Sequence, residues 1–142
     1  MLKKEKILFA FRDVGVDPST LGFEGSEVGV YYHLTPTSKV SSISKRGLVP
    51  SVSPTLGLPE LKEITEGRIY LGRNIDECGD QVWANEFLTG KLPTLSWTLL
   101  KVRIPEEWIS GMDGAGYLYT TNRIPSEAIT NLGRFPIEGF RV

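Results

Sequence analysis

The sequence predicts an α+β fold, and two observations carry that prediction. Segments rich in β-branched and aromatic residues recur along the chain, and the few short stretches with helical spacing do not alternate with them in the regular order of a doubly wound sheet. No glycine-rich phosphate loop of either common kind interrupts them. With 142 residues, 40% of them hydrophobic and 23% charged, the chain is long and apolar enough for one core. A single domain over residues 1–142 follows, since no repeat, linker or low-complexity tract divides it.

The elements follow in order. Ile7 to Phe11 is an apolar run and reads as the first strand. The lysines before it give it the look of a signal peptide, but Arg12 and Asp13 cut the run short and no small-residue cleavage site follows. The chain is therefore expected in the cytoplasm, with no membrane partner. Residues 13–29 carry five glycines or prolines and read as a loop, ahead of a strand over Val28 to His33. Thr35-Pro36 offers an N-cap hydroxyl and a proline suited to a first helical turn, so a helix is expected from here to a left-handed C-cap at Gly47. A surface loop at about 50–58, a short helix at Pro59 to Glu66 and a short strand at Arg68 to Leu71 come next.

Asn74 or Asp76 caps a helix running through Cys78 to Phe87, with Val82, Trp83 and Phe87 as its apolar positions and Gly79 weakening it by nearly 1 kcal/mol relative to alanine. Thr94 to Ile104 reads as a long strand with Leu95, Trp97, Leu99 and Lys101 on one face, followed by a helical turn at Pro105 to Ile109. Tyr117 to Thr121 is a further strand, Ile124 to Ile129 a turn with one helical turn, and Gly133 to Val142 the last strand.

Composition removes several function classes. Sixteen basic against seventeen acidic residues give no global attraction to a polyanion. Cys78 is the one cysteine and His33 the one histidine, so neither an internal disulfide nor a Cys/His zinc site can form, and no metal is expected.

Tyr31-Tyr-His-Leu-Thr-Pro36, continuing to Gly47-Leu-Val-Pro50, resembles the opening motif of the ADP-ribosyltransferase superfamily, a strand ending in Tyr-His-x-Thr/Ser and a helix ending in Gly-Leu-x-Pro. Arg68-Ile-Tyr-Leu-Gly72 is similar to its second motif, and Asn122-Arg-Ile-Pro-Ser-Glu-Ala-Ile129 to the stretch after its third. The three occur in the family's order. Within the superfamily, a histidine on the first strand and a tyrosine on the second resemble the poly(ADP-ribose) polymerase and diphtheria-toxin branch.

The resemblance implies a split β-sheet with few short helices and NAD as substrate, its ADP-ribose passing to a protein or nucleic-acid acceptor. It also implies roles. His33 would bond a ribose hydroxyl of NAD, the backbone of Leu34 would hold the nicotinamide amide, Thr35 would support the strand end and Tyr70 would stack on the nicotinamide ring. Trp83 could supply the ring's other face, which suits a flat cation. The family's third motif carries a glutamate for the ribose 2′-hydroxyl, and the alignment places Gly116 there. Glu127 is the candidate catalytic carboxylate, with Asp113 as the alternative.

Each residue also has a plainer reading. His33 could be a hydrogen-bonded structural histidine, Tyr70 and Trp83 ordinary core aromatics, and Glu127 a solvent-facing acid at a helix start. Lys39, Lys45 and Arg46 read as a solvated helix face, and Cys78 as an inert thiol. These alternatives leave three hypotheses open: a transferase, a non-catalytic binder of NAD or ADP-ribose, and a protein-interaction domain.

Overall fold

Strands β1 (Val28–Pro36), β3 (Trp97–Pro105) and β6 (Ile129–Phe135) form one antiparallel sheet in the order β1-β3-β6. Strands β2 (Ile69–Leu71), β5 (Leu118–Thr120) and β4 (Gly111–Met112) form a second, also antiparallel, in the order β2-β5-β4. Two helices are added, α1 (Val40–Arg46) and α2 (Ile75–Thr89), with three short 3-10 turns. The fold is thus mixed α+β, with antiparallel strands in two sheets and few helices. These statements concern residues 28–50, 67–89, 96–114 and 116–135 of a computed structural model, with side chains on α2 described as far as Trp83. The expected strand at Ile7 to Phe11, the loop from residue 51, the helix at Pro59 to Glu66 and residues 136–142 of the last strand lie outside them.

The sheets meet where Tyr32 and Gly72 exchange two backbone hydrogen bonds, Tyr32 N–H to Gly72 at 2.8 Å and Gly72 N–H to Tyr32 at 2.7 Å. The main core fills the angle between them: Tyr31, Leu100, Val102 and Ile104 from the first sheet face Ile69, Leu71 and Leu118 from the second, with Ile43 and Leu48 closing over them. Full burial of each such side chain contributes about 1.5–3 kcal/mol. A second cluster lies on the other face of the first sheet, where Val82 of α2 packs with Trp97, Leu99 and Phe135 against Tyr32 and Leu34. The central strand β3 is therefore covered on both faces over much of its length, which is why Trp97 to Leu100 are all buried despite the alternation expected of a half-exposed strand.

Two expected boundaries move. The helix expected from Thr35-Pro36 starts later, because Thr35 and Pro36 remain paired with Thr98 and Trp97 and the ladder outcompetes the local cap. A 3-10 turn, Thr37–Lys39, intervenes before α1, which ends at Gly47 with φ 76° as its spacing predicts. The last strand begins at Ile129 instead of Gly133. A bulge between Leu99 and Leu100 admits one extra residue opposite β3, and Gly133, at φ 99°, takes the left-handed backbone there. Strand β4 was not legible because two residues carry no periodicity.

The segments quoted for the family resemblance are joined in space. Leu48 N–H bonds the Ile124 carbonyl and Ile124 N–H bonds the Leu48 carbonyl, both at 2.9 Å, while Arg123 Nε donates to the Arg46 carbonyl at 2.9 Å. A Cβ on Gly47 would stand 2.0 Å from the Ile124 oxygen, so only glycine lets the helix end meet this turn.

Candidate functional site

The candidate site is built on β1 at the point where it leaves the second sheet. Tyr32 directs its N–H and C=O outward to Gly72, whereas Thr37, an odd five residues later, bonds inward to Ser96 of the β3 side, at 2.9 Å. Backbone groups of residues two apart on a strand point the same way. Leu34 therefore presents its N–H and C=O to the outer edge, one step past the bridge, where no described strand pairs with them. One donor and one acceptor lie there side by side.

His33 alternates onto the core-side face, opposite Tyr32 and Leu34. Its Nδ1 lies 2.7 Å from the Tyr70 carbonyl. A carbonyl can only accept, so Nδ1 carries the proton and a neutral ring presents Nε2 as an acceptor. Burial pushes the His33 pKa down; the Tyr70 carbonyl opposes this and the charge of Lys39 adds to it. The imidazole is thus neutral near pH 7 and fixed in one tautomer.

Tyr70 meets His33 through its main chain. Its ring lies on the other face of the second sheet from Ile69 and Leu71, 5.9 Å from the Tyr119 ring at a 50° tilt, and its hydroxyl accepts from Arg68 at 3.1 Å. Arg68 in turn sits 4.0 Å above the Tyr119 ring. Thr35 is 3% exposed and stands opposite Thr98 in the ladder. Trp83 is 39% exposed on α2, whose inward residue Val82 packs on the face bearing Tyr32 and Leu34. The helix lies against the face opposite to that of His33.

The carboxylates are placed less favourably. Glu127 is exposed on the 3-10 turn Ser126–Ala128, which leads into β6 and is tied to the end of α1; its polar neighbour is Ser126 at 3.5 Å. None of the described contacts brings it to His33 or Tyr70. Asp113 is 1% exposed and its Oδ1 accepts from Tyr117 N–H at 3.0 Å, a structural use. Gly116 has φ 86°, a conformation suited to glycine and costly for a glutamate. Its carbonyl accepts from Arg73 at 3.1 Å, and Arg73 also pairs with Glu77 at 2.8 Å.

No family model, curated protein or solved structure matches this chain.

One residue that shapes this region, Gln81, was not singled out from sequence. Gln81 donates to the Leu71 carbonyl at 3.1 Å and, with Cys78 packed against Gly72, seats α2 on the end of β2. The Asn74-x-x-Glu77 spacing was the available signal for this helix start: Asn74 Oδ1 accepts from Glu77 N–H at 2.9 Å, and Glu77 accepts from Arg73 N–H at 3.2 Å. Among the described residues no three His, Cys, Asp or Glu side chains are grouped to hold a metal, and no helix is long and apolar enough to cross a membrane.

Proposed function

We propose that this chain binds NAD where its two sheets part and is a domain of the ADP-ribosyltransferase kind. The observation that carries the reading is the outward pair of Leu34 N–H and C=O beside a neutral His33 held by the Tyr70 carbonyl. A nicotinamide carboxamide needs one acceptor for its NH2 and one donor for its oxygen, and a single strand residue supplies both in fixed geometry. His33 Nε2 is then an acceptor for a ribose hydroxyl. The order in which the three quoted segments converge also supports the resemblance.

Two activities are compatible with such a site. In mono-ADP-ribosyl transfer the C1′–N bond to nicotinamide breaks and an acceptor nucleophile, protein or nucleic acid, forms the new bond at C1′ and loses its proton. A carboxylate at the ribose 2′-hydroxyl stabilises the cationic transition state, and removing such a charge costs roughly a hundredfold or more in rate. Glu127 is the candidate for that role, but its exposure and the glycine geometry at 116 favour the second activity, retention of NAD or ADP-ribose without cleavage.

The experiment follows both nicotinamide release and transfer of label from NAD labelled in its adenylate half, with a cell extract as acceptor source, beside thermal melts. Binding at a hundred times the dissociation constant adds about 2.7 kcal/mol to the folded state, readily seen as a shift. No shift at millimolar NAD refutes the proposal. A shift without release supports the binder; release that Glu127→Gln abolishes while NAD affinity holds supports the transferase.

A further inference from the structure

Charge is unevenly distributed along this near-neutral chain. No Asp or Glu occurs from Val28 to Pro59, while Asp76, Glu77 and Asp80 gather on α2. Within the acid-free stretch, α1 turns Ser41, Ser42, Ser44, Lys45 and Arg46 to solvent. The fold brings a third cation to the same helix end. Arg123 Nε donates to the Arg46 carbonyl at 2.9 Å, and the two hydrogen bonds between Leu48 and Ile124 hold the segments together just beyond.

With Nε engaged, the exposed Arg123 guanidinium is oriented, and no described residue bonds its two Nη groups. The same bond covers a carbonyl at the negative end of the helix, a group that otherwise opposes an anion. Lys45, Arg46 and Arg123 form no ion pair among the described residues, and Glu127, on the turn packed against α1, meets Ser126 instead. Val49 is the exposed large hydrophobic residue beside them. A protein partner's hot spots need aromatic or apolar anchors, which this surface lacks, whereas phosphodiester oxygens are met by Arg, Lys and Ser side chains.

We infer that the exposed end of α1, together with Arg123, docks the phosphodiester backbone of a nucleic acid, with Lys45, Arg46 and the Arg123 fork each meeting a phosphate. Such contacts position the polymer and read no bases, so binding is indifferent to sequence. The inference does not depend on the NAD reading.

The test is fluorescence anisotropy of a labelled single-stranded oligonucleotide of mixed sequence, titrated with protein between about 50 and 200 mM salt. Three phosphate contacts give a slope of log K against log salt of about −2 for a single strand. The double variant Lys45→Gln/Arg46→Gln should flatten the slope to about −0.7 and bind about tenfold or more weakly at the lower salt. Arg123→Lys keeps the charge and loses the fork, and should weaken binding by about threefold. The control Lys101→Gln/Arg103→Gln removes the same charge from the face of the first sheet that points away from the main core, and should stay within about twofold of wild type. Melts of both double variants should match wild type, since no described ion pair uses these side chains. Absence of binding by wild type at about 100 µM protein and the lower salt, or an equal loss in the two double variants, overturns the inference. A poly-glutamate peptide that binds as tightly as the oligonucleotide also overturns it, and assigns the surface to an acidic protein.

Discussion

Gly47→Ala should be the most damaging small substitution in the segment that joins α1 to the Ile124 turn, and Gly67→Ala is its control. Both glycines have φ 76°. Around Gly67 an added Cβ meets nothing within 4 Å, whereas at Gly47 it would stand 2.0 Å from the Ile124 carbonyl oxygen and 3.1 Å from Pro125 Cα. Positive-φ strain costs an alanine about 1–2 kcal/mol at Gly67 and at least as much at Gly47, where ψ is −170° and the backbone region is essentially glycine's alone. At Gly47 the clash must also part Leu48 from Ile124, losing two 2.9 Å hydrogen bonds at about 1 kcal/mol each and loosening two side chains that are 6% and 0% exposed. The expected totals are therefore about 1–2 kcal/mol for Gly67→Ala and about 4 kcal/mol for Gly47→Ala. Urea unfolding at 25 °C, followed by tryptophan fluorescence, measures both. A difference below about 1 kcal/mol refutes the reasoning, because it means the Ile124 turn yields without cost.

Three further outcomes follow from the site. Leu34→Pro removes an N–H that no described residue uses, at an edge where proline is admitted; the variant should fold with a modest loss of melting temperature yet no longer bind nicotinamide or NAD, and wild-type affinity would exclude that amide as the donor. His33 has a pKa lowered in the folded state, so the unfolded chain takes up its proton first as pH falls; stability due to the neutral ring is complete above about pH 6.5 and declines below it, towards the lowered folded value. Urea midpoints between pH 7.5 and 5.5 should fall for wild type and stay flatter for His33→Gln, and parallel curves would show that burial of this ring does not control the slope. The Cys78 thiol is 2% exposed and its pKa is pushed up to about 12, by burial first and by Glu77 second. It should react with a disulfide reagent at pH 8 far more slowly in native than in urea-unfolded protein; equal rates would place it at the surface.

The sequence by itself determined the features that rest on local chemistry. Gly47 ends α1 because a left-handed position selects glycine, Asn74 caps α2 because its side chain reaches the Glu77 amide, and Val28 to His33 is a strand by its β-branched and aromatic residues. It also singled out His33, Leu34 and Thr35 as candidate ligand residues in one stretch. Only the tertiary structure decided the rest. Whether Thr35 begins a helix or ends a strand depends on Thr98, sixty-three positions away in the chain, and the ladder prevailed. The tautomer of His33 depends on the Tyr70 carbonyl, the open edge at Leu34 on where the Gly72 bridge stops, and the placement of Glu127 on the tie between Leu48 and Ile124. Hydrogen bonds and burial between distant segments set these features, and such pairings leave no periodicity in the sequence for propensity or spacing to reveal.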